Sequence, residues 1–581
     1  MSKPPHAGVP ETRLKAAFAT CRGAFASAGV FSFFINMLML TGPLFMLQVY
    51  DRVLTSGSIP TLVALLILVA VLFAFMGALE LIRSRLLVRI ARRVDEELSD
   101  ETLSAVFIHA LRHSPNVNSQ PVRDLDALRQ FVGGPGPFTL FDAPWTPVYL
   151  GVIFLLHWWL GVFAVIGALI LFAVAAFNEI VTREPMTRSA QASMASHALV
   201  EEGRRNSEVL KAMGMTRQFR AKWQRLHGTA LDQQIQASDR AGEITSFSKA
   251  TRLFLQSAML ALGAYLAVQQ LITPGTMIAA SIIMSRALQP LEQAITHWRS
   301  FLQARKAYDR LGGALETAQE AVPTMQLPPP RGHLHVEQLF VRAPGSTEII
   351  LHGLNFELQP GTALGVIGVT GAGKTSLVRA LVGLWPAAKG TVRIDDATLD
   401  QWSPEALGPY VGYLPQDVEL FSGTIAENIA RLEAEPDSEA VVTAAQRANV
   451  HEMILRLADG YDTLVGEGGF ALSAGQRQRI GLARALYGDP IFVVLDEPNS
   501  NLDAEGEAAL VAAIHQLKNN GCTVVVAAHR PSAIGAVDQL LFLKDGKMAA
   551  FGPRDEVLAA VTQSVPGRVA EATPRRDHGG A

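Results

Sequence analysis

The sequence predicts a chain with two unlike domains: a membrane domain of six α-helices, followed by an α/β domain. Six apolar runs of about 20 residues lie before residue 300, and each is long enough to cross the ~30 Å hydrocarbon core of a bilayer as a helix. From residue 333 onward, short apolar strand patterns alternate with helical patterns, as expected for an α/β domain. A very hydrophobic soluble core is the alternative for each run, but six runs separated by polar stretches favour a membrane domain.

The composition agrees with this division. The 581 residues are 49% hydrophobic and only 18% charged, and these values favour a membrane protein over an ordinary globular one. The net charge of −3 gives no reason to expect nucleic acid as a partner. Cys21 and Cys522 lie far apart, so neither a disulfide framework nor a CxxC metal site is predicted. The polar, alanine-rich residues 1–22 predict no cleavable signal peptide.

The distribution of basic residues orients the predicted spans, which cover about residues 26–49, 59–82, 146–159, 161–181, 253–272 and 276–296. Arginine and lysine are frequent after the second and fourth spans but absent from the turns near residues 159–161 and 273–275. By the positive-inside rule, both termini and the two long loops are predicted to be cytoplasmic. The predicted boundaries are a short cytoplasmic segment at 1–24, the membrane domain at 25–320, a linker at 321–332, the α/β domain at 333–563 and a disordered tail at 564–581.

The two long loops have helical patterns with scattered charge. Residues 83–115 and 182–249 are predicted to continue the membrane helices into the cytoplasm, with loop tips near 122–131 and 206–214. These loops are either solvated hairpins or levers that meet another domain, and the α/β domain on the same side favours levers. The isolated polar residues Asn36, Gln48 and His157 either line a pathway or make helix-packing contacts.

A glycine-rich loop opens the α/β domain. Residues 368–375 read Gly-Val-Thr-Gly-Ala-Gly-Lys-Thr and follow an apolar strand. This order of strand, loop and helix fits the phosphate-binding loop of nucleoside triphosphatases and makes a plain glycine-rich turn a poor alternative. Lys374 is predicted to reach the β- and γ-phosphates of ATP, and Thr375 to bind Mg²⁺. The predicted phosphate cradle is Gly368, Val369, Thr370, Gly371, Ala372, Gly373, Lys374, Thr375 and Ser376.

Four further residues complete the predicted chemistry. The apolar strand at 491–495 ends in Asp496 and Glu497, at the edge where an α/β sheet presents ligands. We expect Asp496 to hold Mg²⁺ and Glu497 to polarise the attacking water. Gln416 and His529 each follow a strand, and we expect them to sense Mg²⁺ with water and to contact the γ-phosphate, respectively. Alone, either residue is more often a satisfied surface or core group, and only the neighbouring motifs favour these roles.

A second motif identifies the family. Residues 472–476, Leu-Ser-Ala-Gly-Gln, resemble the signature of ATP-binding cassette (ABC) proteins, with alanine in place of the first glycine. The resemblance implies a homodimer in which Ser473, Ala474, Gly475 and Gln476 of one subunit close over the ATP held by the other. It also implies that Asp503 lies in a segment crossing that interface, and that residues 466–469 resemble an exporter-specific stretch that touches the membrane-domain levers. Ala343 stands where many exporters have a tyrosine that stacks on adenine.

The resemblance extends over nearly the whole chain. Six spans followed by one cassette resemble a half-transporter with the type I ABC exporter fold. Residues 35–54 look like type I secretion permease/ATPases, and residues 461–476 and 496–503 look similar to the PrtD-like branch, which exports proteases and RTX proteins. This resemblance implies an ATPase coupled to transport in a bacterial inner membrane.

In such systems the cargo is an unfolded protein with a C-terminal signal, which leaves through a periplasmic adaptor and an outer-membrane channel. Membrane lipid surrounds the exporter. About two dozen residues precede the first span, so no peptidase domain is expected there. Export of a lipid, peptide or drug stays an alternative, as does a cassette protein that regulates without transporting.

Overall fold

The computed structural model describes residues 13–112, 120–317, 327–466, 469–528 and 531–564. The chain divides into two compact units: residues 1–107 with 118–319 form a helical unit, and the mixed α/β unit comprises residues 320–581 together with 108–117. The first half of the predicted N-terminal segment, part of the predicted linker and the tail beyond residue 564 lie outside the described residues. The predicted domain boundaries stay predictions.

The helical unit is built from helices that are in several cases far longer than a bilayer is thick. Twelve α-helices occur in its described part: α1 Arg13–Thr20, α2 Arg22–Leu38, α3 Thr41–Gln48, α4 Leu54–Ser56, α5 Ile59–Arg112, α6 Gln120–Gly133, α7 Gly136–Asp142, α8 Thr146–Leu156, α9 Trp158–Arg205, α10 Ser207–Ala212, α11 Thr216–Val268 and α12 Pro274–Thr317. A π-helical turn, Val49–Val53, joins α3 to α4.

Five helical segments in the described ranges are long and apolar enough to cross a membrane: 22–56, 59–111, 136–156, 158–205 and 216–268. They overlap the first five predicted spans, of which the third and the fifth extend a few residues beyond the segments. The break between the third and fourth spans, predicted near 159–161, lies slightly earlier, at His157, which is extended between α8 and α9. The sixth predicted span is helical, as part of α12, but it is not among the five apolar segments. Its apolar character was overestimated, because polar residues recur along this helix.

The two long loops are largely helical, as predicted. Helix α5 continues to Arg112, while α9 and α11 extend well beyond their apolar parts. The two predicted loop tips coincide with the short helices α6 and α10. Helix α6 is fixed to α12, because the buried carboxylate of Asp124 accepts hydrogen bonds from Arg310 at 2.6 and 2.9 Å. The interpretation of the tips as levers stays a prediction.

The interior of the helical unit contains two apolar clusters. One surrounds Leu87, Leu128 and Leu311, and the other surrounds Tyr149 and Met284. Many large apolar side chains lie on the outside of the same helices. Lipid is as apolar as these side chains, so an apolar exterior is the arrangement expected of helices in a bilayer.

The α/β unit contains two larger sheets and one two-stranded pair. Its strands are β1 Leu334–Arg342, β2 Ile349–Leu358, β3 Ala363–Gly368, β4 Ala387–Ile394, β5 Ala397–Thr398, β6 Val411–Leu414, β7 Gly423–Thr424, β8 Leu464–Val465, β9 Phe492–Asp496, β10 Thr523–Ala527, β11 Gln539–Lys544 and β12 Lys547–Pro553. Its helices are α13 Lys374–Leu381, α14 Pro404–Leu407, α15 Ile425–Ile429, α16 Ser438–Arg447, α17 His451–Leu455, α18 Ala474–Leu486, α19 Ala504–Asn519, α20 Pro531–Gly535 and α21 Arg554–Ser564.

The six-stranded sheet positions the candidate site. Its order is β12–β11–β3–β10–β9–β6, and all neighbouring pairs are parallel except the antiparallel pair at the β12 edge. Every residue of β9 and β10 is buried, as is usual for parallel strands covered on both faces. The carboxyl ends of β3 and β9 lie on either side of β10. The glycine-rich loop after β3 and the carboxylates after β9 therefore share one edge of the sheet.

Candidate nucleotide site

The phosphate loop has the backbone that its glycines predict. Gly371 and Gly373 have φ values of 82° and 101°, in the left-handed region that favours glycine. A Cβ atom on Gly373 would lie 2.6 Å from a methyl carbon of Leu351. Helix α13 begins at Lys374, directly after the loop. The loop and the N-terminus of α13 together form a cradle of backbone N–H groups that fits an anion.

Lys374 lies beneath this loop. Its side chain is buried, and its Nζ donates to the backbone oxygens of Gly368 at 3.0 Å and Val369 at 3.3 Å. Burial lowers the pKa of Lys374, although the nearby Glu497 and Asp496 act in the opposite direction. A phosphate in the loop would give this ammonium group an anionic partner.

Asp496 and Thr375 meet across the site. Asp496 is the last residue of β9 and is 1% exposed. One carboxylate oxygen accepts a hydrogen bond of 3.4 Å from the Thr375 hydroxyl, and the other is buried without a hydrogen-bond partner in the described part of the chain. Burial raises the pKa of Asp496, whereas the Thr375 hydrogen bond lowers it. A buried carboxylate oxygen without a donor, beside a hydroxyl, fits a hard cation such as Mg²⁺.

Glu497 and Gln416 form a second pair. The Gln416 side-chain amide donates to the Glu497 carboxylate at 3.1 Å. Glu497 has φ of 50°, which is uncommon for a residue other than glycine, and its N–H still bonds the Ala527 carbonyl at 2.9 Å. Because the backbone turns directly after β9, the side chains of Asp496 and Glu497 leave the strand end in different directions. His529 lies outside the described residues.

The signature residues begin helix α18. The Ser473 hydroxyl accepts from the Gln476 N–H at 3.2 Å, and the Gln476 side chain accepts from the Ser473 N–H at 2.8 Å. This reciprocal pair is a capping box, which fixes the first turn of the helix. A Cβ atom on Gly475 would lie 2.7 Å from the Asn501 carbonyl oxygen, so this position requires glycine. Ala474 is the first residue of α18.

Three other predicted features have local roles in the single chain. Asp503 caps helix α19 by accepting from the Gly506 N–H at 2.9 Å. Ala343 follows β1 in a turn, where its carbonyl accepts from the Ser346 N–H at 3.0 Å. In the 466–469 segment, Gly469 donates to the Gly466 carbonyl, and residues 467–468 lie outside the described residues.

Gln478 is a residue of the site that sequence reasoning missed. Its buried side chain donates to the Pro498 carbonyl at 2.6 Å and the Glu497 carbonyl at 3.2 Å, and it accepts from the Asn501 N–H at 3.1 Å. It therefore ties the signature helix to the backbone that carries Glu497. One signal was available: Gln478 lies three and four residues before the buried Gly481 and Leu482, on the inner face of α18.

Comparison with known proteins agrees with this geometry. Residues 351–500 match the family described as ABC transporter, and residues 25–291 match the ABC transporter transmembrane region. The chain is 47% identical over 547 residues to the type I secretion system ATP-binding protein PrsD of Rhizobium meliloti, covering 94% of each chain. The chain belongs to the type I secretion branch of the ABC transporters. The predicted family and the predicted function as an ABC exporter are thus confirmed.

More distant relatives share the same branch. The chain is 27% identical to the toxin RTX-I translocation ATP-binding protein of Actinobacillus pleuropneumoniae, covering 93% of this chain and 77% of the relative. It is 29% identical to the cyclolysin secretion/processing ATP-binding protein CyaB of Bordetella pertussis, covering 91% and 75%. A solved structure of a bacterial Atm1-family ABC exporter with ATP bound superposes with a TM-score of 0.79 over 95% of this chain and all of the other. At 21% identity this likeness shows the fold alone.

The exporter is a multi-pass membrane protein that binds and hydrolyses ATP to drive secretion. Its fold is the predicted one, a helical transmembrane region joined to an ABC ATPase domain. The α/β unit is called the cassette below.

Proposed function

We propose that this exporter works as a homodimer in the inner membrane of a Gram-negative bacterium. Its cargo is an unfolded polypeptide with a C-terminal signal, of the RTX or protease kind, which leaves through a periplasmic adaptor and an outer-membrane channel. The observation that carries the proposal is the 47% identity to a type I secretion protein along 94% of both chains. The names of two further relatives, which refer to an RTX toxin and to cyclolysin, support a polypeptide cargo.

Within the cassette, we propose the following division of labour. The loop from Gly368 to Ser376 binds the ATP phosphates, and Lys374 neutralises the β- and γ-phosphates. Thr375 and Asp496 hold Mg²⁺, with Gln416 beside it. The contact between Thr375 and Asp496 and the partnerless oxygen of Asp496 support this assignment. Mg²⁺ supplies charge neutralisation at the transferred phosphate.

Glu497 is the proposed general base. Its carboxylate lies within hydrogen-bond reach of Gln416, so the two side chains can orient one water molecule against the γ-phosphate. His529 is proposed to contact the same phosphate. Lys374 and Asp496 nearby are buried, which strengthens their electrostatic interaction with a bound phosphate or cation.

The second copy of the chain is proposed to complete each site. Helix α18 has 13 residues and a capping box at its start, and its first turn carries Ser473, Ala474 and Gly475. A capped helix N-terminus with small side chains can approach a phosphate closely. Asp503 follows in the segment proposed to cross the dimer interface. Two copies would thus form two equivalent ATP sites.

Orientation follows from the basic residues after the second and fourth spans. We propose that both termini and the cassette are cytoplasmic. The proposed domains are the membrane domain at 25–320 and the cassette at 333–563, with a linker between them.

The proposal is tested by secretion from a Gram-negative host that lacks a type I system. The exporter is produced with an adaptor and an outer-membrane channel from its own bacterium, together with a reporter polypeptide that carries the C-terminal signal of an RTX-type protein. We expect the reporter in the medium, and we expect none when the signal is deleted or when Glu497→Gln replaces the wild type. A reporter retained in the cell, together with ATP-driven movement of lipid or drug by the purified protein in vesicles, would contradict the proposed cargo.

A further inference from the structure

Helix α12 carries a polar stripe along the C-terminal part of the sixth predicted span. The stripe residues are separated by three or four positions, so they share one face of the helix. They are Ser285, Gln289, Glu292, Gln293, Thr296 and His297. Met284, Ala287 and Leu288 between them are buried in the apolar cluster of the unit. The stripe explains why α12 is less apolar than the five other spanning segments.

Arg252 on the neighbouring helix α11 joins this stripe. Its guanidinium lies 2.5 Å from the Glu292 carboxylate and donates to the Ser285 hydroxyl at 3.0 Å. The Arg252 and Glu292 side chains are 19% and 20% exposed. Beside them lies a cavity of about 400 Å³. Its lining residues are Arg252, Gln289, Glu292, Gln293, Thr296 and His297.

The polar residues gather at one end of two spans, because Arg252 directly precedes the fifth predicted span and His297 directly follows the sixth. Polar side chains that border a membrane span are tolerated where they face protein or a water-filled space. Here six of them converge on one open cavity instead of being consumed by packing. We propose that the polar stripe of α12, together with Arg252, lines the path of the secreted polypeptide and binds its backbone through neutral hydrogen bonds. This inference rests on the proposed polypeptide cargo and assigns part of its route.

The charges of the cavity favour a peptide backbone over an anionic ligand. The lining has one positive and one negative side chain, Arg252 and Glu292, and these two are paired. A lipid phosphate would need a cation that is not already neutralised. The other groups are amides, a hydroxyl and an imidazole, which both donate and accept hydrogen bonds. Such groups suit the amide groups that every polypeptide has, whatever its sequence.

The dimensions also fit an extended chain. From Gln289 to His297 the stripe rises by eight residues along α12, which is ~12 Å at 1.5 Å per residue. An extended polypeptide covers that distance with about three to four residues. Arg286, which is not among the lining residues, donates to the Gln289 side-chain oxygen at 3.1 Å. The Gln289 NH₂ group is then the part of this amide that can donate to a passing carbonyl.

Site-specific photo-cross-linking tests the inference in the secretion assay described above. A photo-reactive amino acid replaces Gln293 in the cavity or, as a matched control, the exposed Gln303 on the same helix. The reporter is fused to a rapidly folding domain at the end opposite its signal, so that it stalls in transit. We expect an adduct between residue 293 and the reporter that requires ATP, and none from residue 303.

The cross-linking experiment has outcomes that would contradict the inference. An adduct of residue 293 with phospholipid instead of the reporter would overturn the inference, as would no reporter adduct while the wild type secretes. If the wild type itself secretes no reporter, the proposed cargo fails first and this inference fails with it. Wild-type secretion thus separates the two failures.

A pair of variants provides a second measurement. Gln289→Leu with Gln293→Leu removes two side-chain amides, and we expect the secreted reporter to fall about ten-fold, the effect of losing one or two hydrogen bonds to the cargo. Gln303→Leu makes the same chemical change outside the cavity and should leave secretion within about two-fold of wild type. The melting temperature of each purified variant checks folding. Wild-type secretion by the folded double variant would contradict the proposed contacts.

Discussion

The cassette and the membrane unit each enclose an aspartate, and the two carboxylates differ in what surrounds them. In the membrane unit, one oxygen of Asp142 accepts hydrogen bonds from Asn36 at 2.7 Å and from the buried Arg83 at 3.2 Å. In the cassette, Asp496 has a long hydrogen bond from Thr375 and a buried oxygen with no partner in the described residues. Asp142 receives its hydrogen bonds from other side chains of the chain and therefore stabilises the fold. Asp496 has an oxygen without a hydrogen-bond donor in the described residues and is therefore suited to bind a ligand.

This difference predicts opposite consequences for activity and stability. Removing a carboxylate of the nucleotide site should abolish chemistry and leave the fold intact. Removing the internally paired carboxylate should weaken the fold, because a buried arginine then loses its counter-ion.

Glu497→Gln should have the largest effect. We expect the rate of ATP hydrolysis to fall by about 10²–10⁴-fold, because a glutamine cannot accept the proton of the attacking water. Binding of ATP should persist and the variant should stall in its ATP-bound state. Phosphate release and nucleotide binding by the purified protein measure the two properties. Glu439→Gln, on the exposed surface of α16, is the control. Normal hydrolysis by Glu497→Gln would show that another group is the base.

Asp496→Asn tests the carboxylate that has an oxygen without a hydrogen-bond donor in the described residues. We expect the dependence of hydrolysis on Mg²⁺ to shift to higher concentrations and the rate to fall by about 10²-fold, since a neutral amide is a weaker ligand for a hard cation. Without nucleotide, the free energy of unfolding should be unchanged or higher, because a buried carboxylate without a full set of donors is replaced by a neutral group. A strong loss of stability would mean that Asp496 is structural.

Asp142→Asn tests the carboxylate that is paired within the membrane unit. We expect the free energy of unfolding in detergent to fall by about 3–5 kcal/mol, the range for breaking a buried ion pair by removing one partner. Arg83 would keep its hydrogen bond to Ser32 and its position over the Phe138 ring, but not its counter-ion. Asp126→Asn on α6, whose side chain is 45% exposed, is the matched control and should change little. Equal stability of the two variants would remove the contrast with Asp496.

Much of the nucleotide site was accessible to sequence reasoning because its residues are contiguous. The glycines, Lys374 and Thr375 lie within one loop, and Asp496 with Glu497 directly follows a strand. Gln478 was missed because its partners are backbone atoms about 20 residues further along the chain. The spacing of residues within one helix does not predict a hydrogen bond to the backbone of a distant segment.

For the membrane unit, the sequence predicted the helices but not the contacts between them. Run length and hydropathy predicted the helices, since the thickness of a bilayer sets their length. The pairing of Arg83 with Asp142 joins residues 59 positions apart and has no local pattern. The sixth span was taken as apolar from the length of its run, whereas the polar residues along one face of α12 lower its mean hydropathy below that of the other five segments.

Gln478→Leu asks whether a side chain outside the motifs positions Glu497. We expect hydrolysis to fall by about 10-fold, because three hydrogen bonds to the backbone around Glu497 are lost and the base is less well held. ATP binding should be nearly unchanged, which separates positioning from binding. Gln516→Leu, an exposed glutamine on α19, is the control. If both variants hydrolyse ATP at the wild-type rate, Gln478 is only a packing residue.

Asp51 provides the smallest and most discriminating test, because it is a half-buried carboxylate that the chain satisfies. It accepts from the Gly275 N–H at 2.9 Å and the Thr273 hydroxyl at 2.6 Å, and so caps the start of α12 from the π-helical turn after α3. Asp51→Ala should lower the free energy of unfolding by about 1 kcal/mol, the usual effect of losing a helix cap, whereas Asp51→Asn should lose only a few tenths because asparagine also caps. Chemical unfolding of the two variants side by side measures the difference. Equal losses from both would assign the effect to charge instead of hydrogen bonding. The rule drawn from Asp142 and Asp496, that internal donors mark a structural carboxylate, would then not extend to half-buried sites.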